Sequence, residues 1–147
     1  MLELWQFLAI VSTSLFAGAA LYINVAEHPA RMRLETRNAV RQWAPSYQRA
    51  TLMQAPLALI GLAAGVAAWL SGAGVTWLAA ALLIGTVVPF TFIVIMPTNK
   101  RLLAPDLDLD SDATRALLKR WAVLHAFRTA LSLAATTLFV WLSVPGR

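Results

Sequence analysis

Residues 75–96 read VTWLAAALLIGTVVPFTFIVIM, and no ionisable side chain interrupts this stretch of the 147-residue chain. At about 1.5 Å per residue, an α-helix of this length crosses the roughly 30 Å hydrocarbon core of a bilayer. A helix also satisfies its own backbone hydrogen bonds, which lipid does not do. The stretch therefore predicts a transmembrane helix.

Three further stretches have the same length and character, namely Leu4–Val25, Ala50–Leu70 and Trp121–Val144. Across all four stretches the one formally charged side chain is Arg128. None of them alternates between polar and apolar residues as a barrel strand does. We therefore predict an all-α fold, an antiparallel bundle of four transmembrane helices, in a single integral membrane domain over residues 1–147.

The composition supports a membrane protein and excludes several kinds of site. Hydrophobic residues make up 59% of the chain and charged residues 13%, whereas about a quarter of a soluble domain is charged. The absence of cysteine excludes disulfides, thiolate metal sites and cysteine nucleophiles. The net charge of +5 comes from cations that flank the spans, so we expect contact with membrane lipid and no binding of nucleic acid.

The distribution of basic residues predicts the orientation in the membrane. The two long connections, residues 26–49 and 97–120, each carry five Lys or Arg residues, whereas the opposite side carries only Arg147. By the positive-inside rule both connections are cytoplasmic and both termini extracytoplasmic, in a multi-pass protein of the cell inner (plasma) membrane. Because the segment before the first span has no Lys or Arg, we expect an uncleaved anchor.

Three local patterns add detail to this picture. Gly61 and Gly65 form a small-xxx-small pair that permits close helix contact, either within the chain or in a homo-oligomer. The Arg-rich segment Ala30–Trp43 predicts a short helix along the lipid headgroups that ends before Pro45. Ser111 is the expected N-cap of a helix that continues into the fourth span.

Polar side chains collect at one end of the four spans, where they are costly and need a partner or a role. They are Asn24, Glu27, His28, Tyr47, Gln48, Gln54, Thr98, Asn99, Trp121, His125 and Arg128. Trp121, His125 and Arg128 are spaced i, i+4 and i+7, so they share one face of a helix. We predict an inward-facing cluster of Glu27, His28, Asn99, His125 and Arg128, with Glu27 as the counter-ion of Arg128.

Such a cluster has several uses. An Arg–Glu pair can be a structural clasp, and the imidazoles can act as acids and bases. Glu27, His28 and His125 would also suit iron, copper or zinc, and two histidines on different helices can ligate a haem. The chain is then an enzyme, a haem- or metal-binding or electron-transfer subunit, or a small transporter or structural membrane protein.

The same residues carry a family resemblance. The four spans, Glu27-His28-Pro29, Pro97-Thr98-Asn99 and Trp121-x-x-x-His125-x-x-Arg128 resemble the DUF1772 family, whose members include anthrone oxygenases of fungal polyketide pathways. The resemblance implies a membrane-embedded oxygenase. It would oxidise a lipophilic aromatic or phenolic small molecule, an anthrone-like compound, to a quinone with molecular oxygen.

The resemblance also implies roles for the cluster. His125 or His28 would remove a proton from the substrate near neutral pH, and Arg128 with Asn99 would stabilise the anionic oxygen. Glu27 would orient a histidine or neutralise Arg128. Trp121, Gln54 and Asn24 would hold the substrate, with the Trp121 ring as a stacking surface. No step strictly requires a cofactor, because the substrate supplies the electrons.

Overall fold

The computed structural model describes residues 1–144, so Arg147 lies outside the described residues. Within them the fold is all-α, as predicted, and contains four helices long and apolar enough to cross a membrane. We number these helices along the chain as α1 Leu2–Arg31, α2 Thr36–Ala73, α3 Val75–Leu102 and α4 Asp112–Leu142.

The long helices pack side by side, and neighbours run in opposite directions. Near the end of α1, the Asn24 side chain donates to the Ala122 carbonyl near the start of α4, at 3.2 Å. At the other end of the bundle, Trp77 of α3 packs against Phe139 of α4 with ring centroids 5.3 Å apart. We call the end where α1 and α3 finish and α2 and α4 begin the polar end.

Both α1 and α3 widen into a π-helical turn just before a proline. The turns and their prolines are Ile23–Glu27 with Pro29 and Thr91–Ile95 with Pro97. A proline ring clashes with the carbonyl four residues earlier, and here those carbonyls belong to Val25 and Ile93, at the centres of the two turns. The wider turn accommodates the ring, so each helix continues past its proline into the polar end.

The prediction of a short surface helix over Ala30–Trp43 that ends before Pro45 is wrong. In the structure α2 begins at Thr36 and its α-helical part runs to Ala68 through Pro45 and Pro56. Pro45 removes one helical hydrogen bond, and the carbonyl it frees belongs to Arg41, an exposed residue at which water can take the place of the lost donor. Trp43 is fully buried and anchors this part of α2 in the core.

The connection before α4 follows the sequence prediction. Ser111 is the N-cap of α4, and its Oγ accepts a hydrogen bond from the Thr114 N–H at 3.2 Å. The exposed Arg37 guanidinium donates to Asp110 and lowers the pKa of that carboxyl. This contact holds the connection against the start of α2. It weakens only when the pH falls below the usual aspartate pKa and Asp110 becomes protonated.

Two clusters of buried side chains form the core. One contains Trp77, Ile84 and Phe139 and fills the bundle away from the polar end. The other contains Trp43, Leu118 and Trp121 and lies at the polar end. The second cluster therefore supplies the aromatic walls of the site described below.

Gly61 and Gly65 face the interior of this chain. A Cβ added at Gly65 would lie 2.7 Å from both Ala81 Cβ and Phe139 Cζ, and one at Gly61 would lie 2.6 Å from Thr13 Oγ1. These distances are too short for real carbon contacts. The small-xxx-small pair therefore lets α2 approach its neighbours within one chain.

Gly65→Ala is expected to destabilise the bundle by about 1–3 kcal/mol, because the added methyl overpacks the contact with α3 and α4. Gly18→Ala is the matched control, since a Cβ at Gly18 meets nothing within 4 Å. A helical alanine is also favoured over glycine by about 0.5–1 kcal/mol. Thermal unfolding in detergent should show opposite signs for the two variants; equal effects would contradict the packing described here.

Candidate active site

A narrow cavity of about 20 Å³, which is room for about one water molecule, lies among the four helices at the polar end. Each helix contributes to its wall, and the polar or aromatic lining residues include Arg31, Trp43, Tyr47, Asn99, Trp121, His125 and Arg128. Of the residues predicted for the site, four line this cavity. They are Asn99, Trp121, His125 and Arg128.

The helix that follows each π turn brings one polar residue into the bundle. Arg31 and Asn99 each lie two residues after the proline, and they are only 3% and 1% exposed. Without the wider turns, α1 and α3 would have to end at their prolines or tilt elsewhere. The local geometry of these helices therefore places two hydrophilic side chains in the cavity wall.

His125 is held by a side chain from another helix. Asn24 Nδ2 donates to the Ala122 carbonyl at 3.2 Å, which turns Asn24 Oδ1 toward His125 Nδ1, 2.7 Å away. Thr129 also donates to Asn24 Oδ1, at 2.7 Å. Because Oδ1 is purely an acceptor, His125 Nδ1 carries the proton and Nε2 keeps its lone pair. In this arrangement that lone pair accepts a hydrogen bond from Arg128 Nη2, at 3.0 Å.

Arg128 is a half-buried guanidinium whose hydrogen-bond partners in the bundle are neutral. Its Nη2 donates to Gln54 Oε1 and lies 3.0 Å from His125 Nε2, while its Cζ lies 5.3 Å from the centroid of the Phe16 ring. The ion pairs among residues 1–144 are Glu27–Arg31 and Arg37–Asp110, so no carboxylate there pairs with Arg128. An unneutralised charge in such a place is costly and is a common sign of a binding site.

Arg31, in contrast, has its charge neutralised. It donates to Glu27 and to Gln42 Oε1, and it also donates to His28 Nδ1 at 3.1 Å and Ser46 Oγ at 3.3 Å. Glu27 in turn accepts from Ser46. We call these five residues the Arg31 clasp. Because His28 Nδ1 accepts from the guanidinium, its lone pair is already used.

The prediction that Glu27 is the counter-ion of Arg128 is therefore wrong. Glu27 lies one helical turn before Arg31 on the same helix, and its side chain keeps 20% of its exposure at the mouth of the site. Arg128 lies deeper, one turn beyond His125 along α4. Glu27 is paired with Arg31, its neighbour on α1, so it does not neutralise Arg128.

An aromatic cluster joins the two histidines. The Trp121 ring lies 5.2 Å from that of His28, 4.8 Å from that of His125 and 5.8 Å from that of Trp43, measured between centroids. Tyr47 stacks on Trp43 at 5.0 Å. The cavity thus has an aromatic wall beside its polar groups.

Several buried polar atoms around the cavity have no hydrogen-bond partner among the described residues. They are His28 Nε2, Trp43 Nε1, Gln54 Nε2, Asn99 Nδ2 and Oδ1, Trp121 Nε1 and Arg128 Nε. Six of these seven atoms are N–H donors. Buried donors without acceptors are unfavourable unless a ligand or water completes them. The site is therefore suited to a ligand rich in oxygen acceptors, and an anionic oxygen would suit it best.

The three residues proposed as metal ligands do not form one donor set. Within residues 1–144, no group of three or more His, Asp or Glu side chains is placed to hold a metal ion. Glu27 and His28 belong to the Arg31 clasp, while His125 Nδ1 is bound to Asn24. The imidazoles also both contact the Trp121 ring. The side chains in their present arrangement therefore do not form the predicted three-residue metal site.

Sequence reasoning missed Arg31, which it treated as one of five basic residues of a surface connection. A signal was present, because His28–Arg31 and His125–Arg128 are both His-x-x-Arg pairs, with the Arg one turn after the His. In each pair an Arg nitrogen lies close to a His nitrogen, at 3.1 Å and 3.0 Å. The partners Gln42, Ser46 and Thr129 carried no comparable signal.

The comparisons with known proteins agree with this architecture. Residues 43–138 match the family model described as anthrone oxygenase, which is more than half of the chain. The chain belongs to the anthrone oxygenase family. This family was formerly called DUF1772, so the resemblance seen in the sequence is confirmed.

One curated protein to which the chain is similar is anthrone oxygenase tpcL of Aspergillus fumigatus. It is 28% identical over 143 residues, which cover 90% of this chain and 89% of the relative. No solved structure matches the chain. The region matched by the anthrone oxygenase model contains Gln54, Asn99 and the site residues of α4, whereas the α1 residues precede it.

The two guanidinium groups should respond differently to neutral substitution. Glu27→Gln is expected to lower the free energy of unfolding by up to about 3 kcal/mol, because it leaves Arg31 buried without its counter-ion. Arg128→Met should cost clearly less, since it removes a charge that no carboxylate neutralises. Denaturation in the same detergent measures both. A larger loss for Arg128→Met would show that Arg128 is the structural ion and would contradict the assignment.

Proposed function

We propose that this chain is a membrane oxygenase that oxidises an anthrone-like polycyclic phenol to a quinone with molecular oxygen, in the cavity beside His125 and Arg128. The single observation that carries the proposal is the Arg128 guanidinium, which has no carboxylate partner among residues 1–144 and lies 3.0 Å from the unprotonated nitrogen of His125. Membership of the anthrone oxygenase family supports it.

The first step is removal of a proton from the CH₂ group of the anthrone. Once Arg128 Nη2 turns from His125 Nε2 to the substrate oxygen, this nitrogen accepts the proton. The hydrogen bond from Nδ1–H to Asn24 fixes the tautomer that makes this possible. Asn24 is thereby a positioning residue for His125, instead of the substrate contact that the sequence predicted. His28 and Glu27 support the site through the Arg31 clasp.

The second element is stabilisation of the negative charge that develops on the substrate oxygen. Delocalisation carries the charge from the carbon onto the carbonyl oxygen. Arg128 and the unpartnered N–H donors of Asn99, Gln54 and Trp121 are the groups that can bind this oxygen. In a cavity with few water molecules, fixed donors of this kind stabilise an anion far more than they do in bulk water.

The oxygen step then follows with its atoms balanced. The carbanion transfers one electron to O₂, and the resulting radicals combine to form a C–O bond. Protonation of the terminal oxygen gives a hydroperoxide. Removal of the remaining hydrogen from the same carbon as a proton breaks the O–O bond and expels hydroxide, which leaves a carbonyl and, after protonation, water. One O₂ is consumed for each quinone formed, and the substrate supplies all the electrons.

The membrane setting suits both reactants. Molecular oxygen and flat aromatic molecules partition into lipid, and the four apolar helices of this chain are long enough to span it. We place the long basic connections on the cytoplasmic side of the inner membrane and both termini outside, because the cations are concentrated in those connections. The site then lies at the cytoplasmic membrane face, within reach of the bilayer.

His125→Ala should lower kcat for oxidation of an anthrone by at least about 10²-fold, because it removes the proton acceptor. The assay measures oxygen uptake and quinone absorbance together in detergent or nanodiscs. Thermal unfolding within about 1 kcal/mol of the parent serves as the control that the bundle is intact. Parental turnover in a folded His125→Ala protein would remove this residue from the mechanism.

The proposed chemistry also predicts that activity does not depend on a metal. Protein incubated with a strong chelator and then freed of it by gel filtration should retain its full rate, since no written step uses a metal ion. Metal content of the same samples is measured in parallel. Loss of activity on chelation with recovery on adding iron or copper would overturn this part of the proposal.

A further inference from the structure

A second and larger cavity, of about 140 Å³, adjoins the first, farther from the polar end. It lies between α2 and α3, and its wall is largely apolar. Its lining includes Phe16, Ala55, Ala58, Val87, Val88 and Phe92. We call this second cavity the annex.

The annex and the polar cavity share part of their walls. Tyr47, Thr51, Thr91 and Arg128 line both of them. Arg128 therefore stands at the boundary between a region of unpartnered donors and a region of apolar side chains. A ligand whose oxygen is bound by Arg128 has the annex directly beside it.

We propose that the annex is a binding subsite for the apolar rings of a polycyclic aromatic substrate, the part that lies away from the reacting carbon and its oxygens. This inference rests on the proposed function and names its specificity element. A single-ring ligand would place its oxygens in the polar cavity and its ring against the wall that the two cavities share. A fused-ring substrate would extend farther, into the annex.

The chemistry of the proposed reaction requires such a space. The CH₂ group is acidic because flanking fused rings delocalise the negative charge, so the substrate is larger than one ring. The polar cavity is narrow and already bordered by the Trp43 and Trp121 rings. Rings placed in the annex instead exchange lipid or water for contacts with Phe16 and aliphatic side chains, which favours binding.

The wall of the annex also reaches the outer surface of the bundle. Phe92 is 65% exposed and Ala55 is exposed, whereas Phe16 is 1% exposed at the inner side. In a bilayer that outer surface contacts acyl chains. A lipid acyl chain is therefore the competing occupant that an experiment must distinguish from an aromatic one.

Val88→Phe fills the annex from a half-buried position, and Ile93→Phe is the matched control, an exposed side chain of the same helix that lines neither cavity. The probes are 1,8-dihydroxyanthraquinone for three fused rings and resorcinol for one ring, with binding followed by tryptophan fluorescence in nanodiscs. Val88→Phe should raise the Kd of the anthraquinone at least about 10-fold and leave that of resorcinol unchanged. Ile93→Phe should change neither.

Other results of these binding measurements would overturn either the annex as a ring subsite or the proposed function. Equal weakening of both probes by Val88→Phe, or no effect on either, overturns the annex as a ring subsite. If oleate binds the parent and loses affinity in Val88→Phe while the anthraquinone does not, the annex is a lipid site and the inference is wrong. If the ring selectivity holds but an anthrone is not oxidised, the subsite stands and the proposed function fails.

Discussion

The arrangement depends on one unneutralised positive charge, the guanidinium of Arg128 inside a bundle that is apolar on its outside. The chain offers it Gln54, His125 and the face of Phe16, and no carboxylate among residues 1–144. Such a group is unfavourable in an empty protein and favourable once an anion is bound. In our proposal, a ligand that becomes anionic at this charge also accepts from the unpartnered donors around it and gives its proton to His125 Nε2.

The two His-x-x-Arg pairs differ in whether a carboxylate neutralises their arginine. The Arg31 pair has its charge matched by Glu27 and its donors bound by Gln42, His28 and Ser46, so it holds α1 against α2. The Arg128 pair has an oriented imidazole and donors to spare. The same short pattern is therefore a charge-matched clasp in one helix and, in our proposal, a reactive pair in another, and the difference is the presence of one acid on α1.

The sequence predicted the long helices because uninterrupted apolar runs leave few alternatives in lipid. It also predicted that Trp121, His125 and Arg128 share a face, since all three lie on one helix. The prediction failed where two helices meet. From the sequence, Arg31 is interpreted as an anchor in the lipid headgroups. In the structure, the π turn of Ile23–Glu27 lets α1 continue past Pro29, which places Arg31 in the bundle. The role of Asn24 depends on a residue 101 positions away, which no local pattern reveals.

The central claim is that Arg128 binds an ionised oxygen of an aromatic ligand, and the absorbance spectrum of a bound hydroxyanthraquinone tests it directly. At a pH where the free dye is neutral, binding to the parent protein should shift its visible band to the longer wavelength of the phenolate. Folded Arg128→Met should bind the dye with the spectrum of its neutral form. A neutral spectrum on the parent, or a phenolate spectrum on both proteins, would contradict the account.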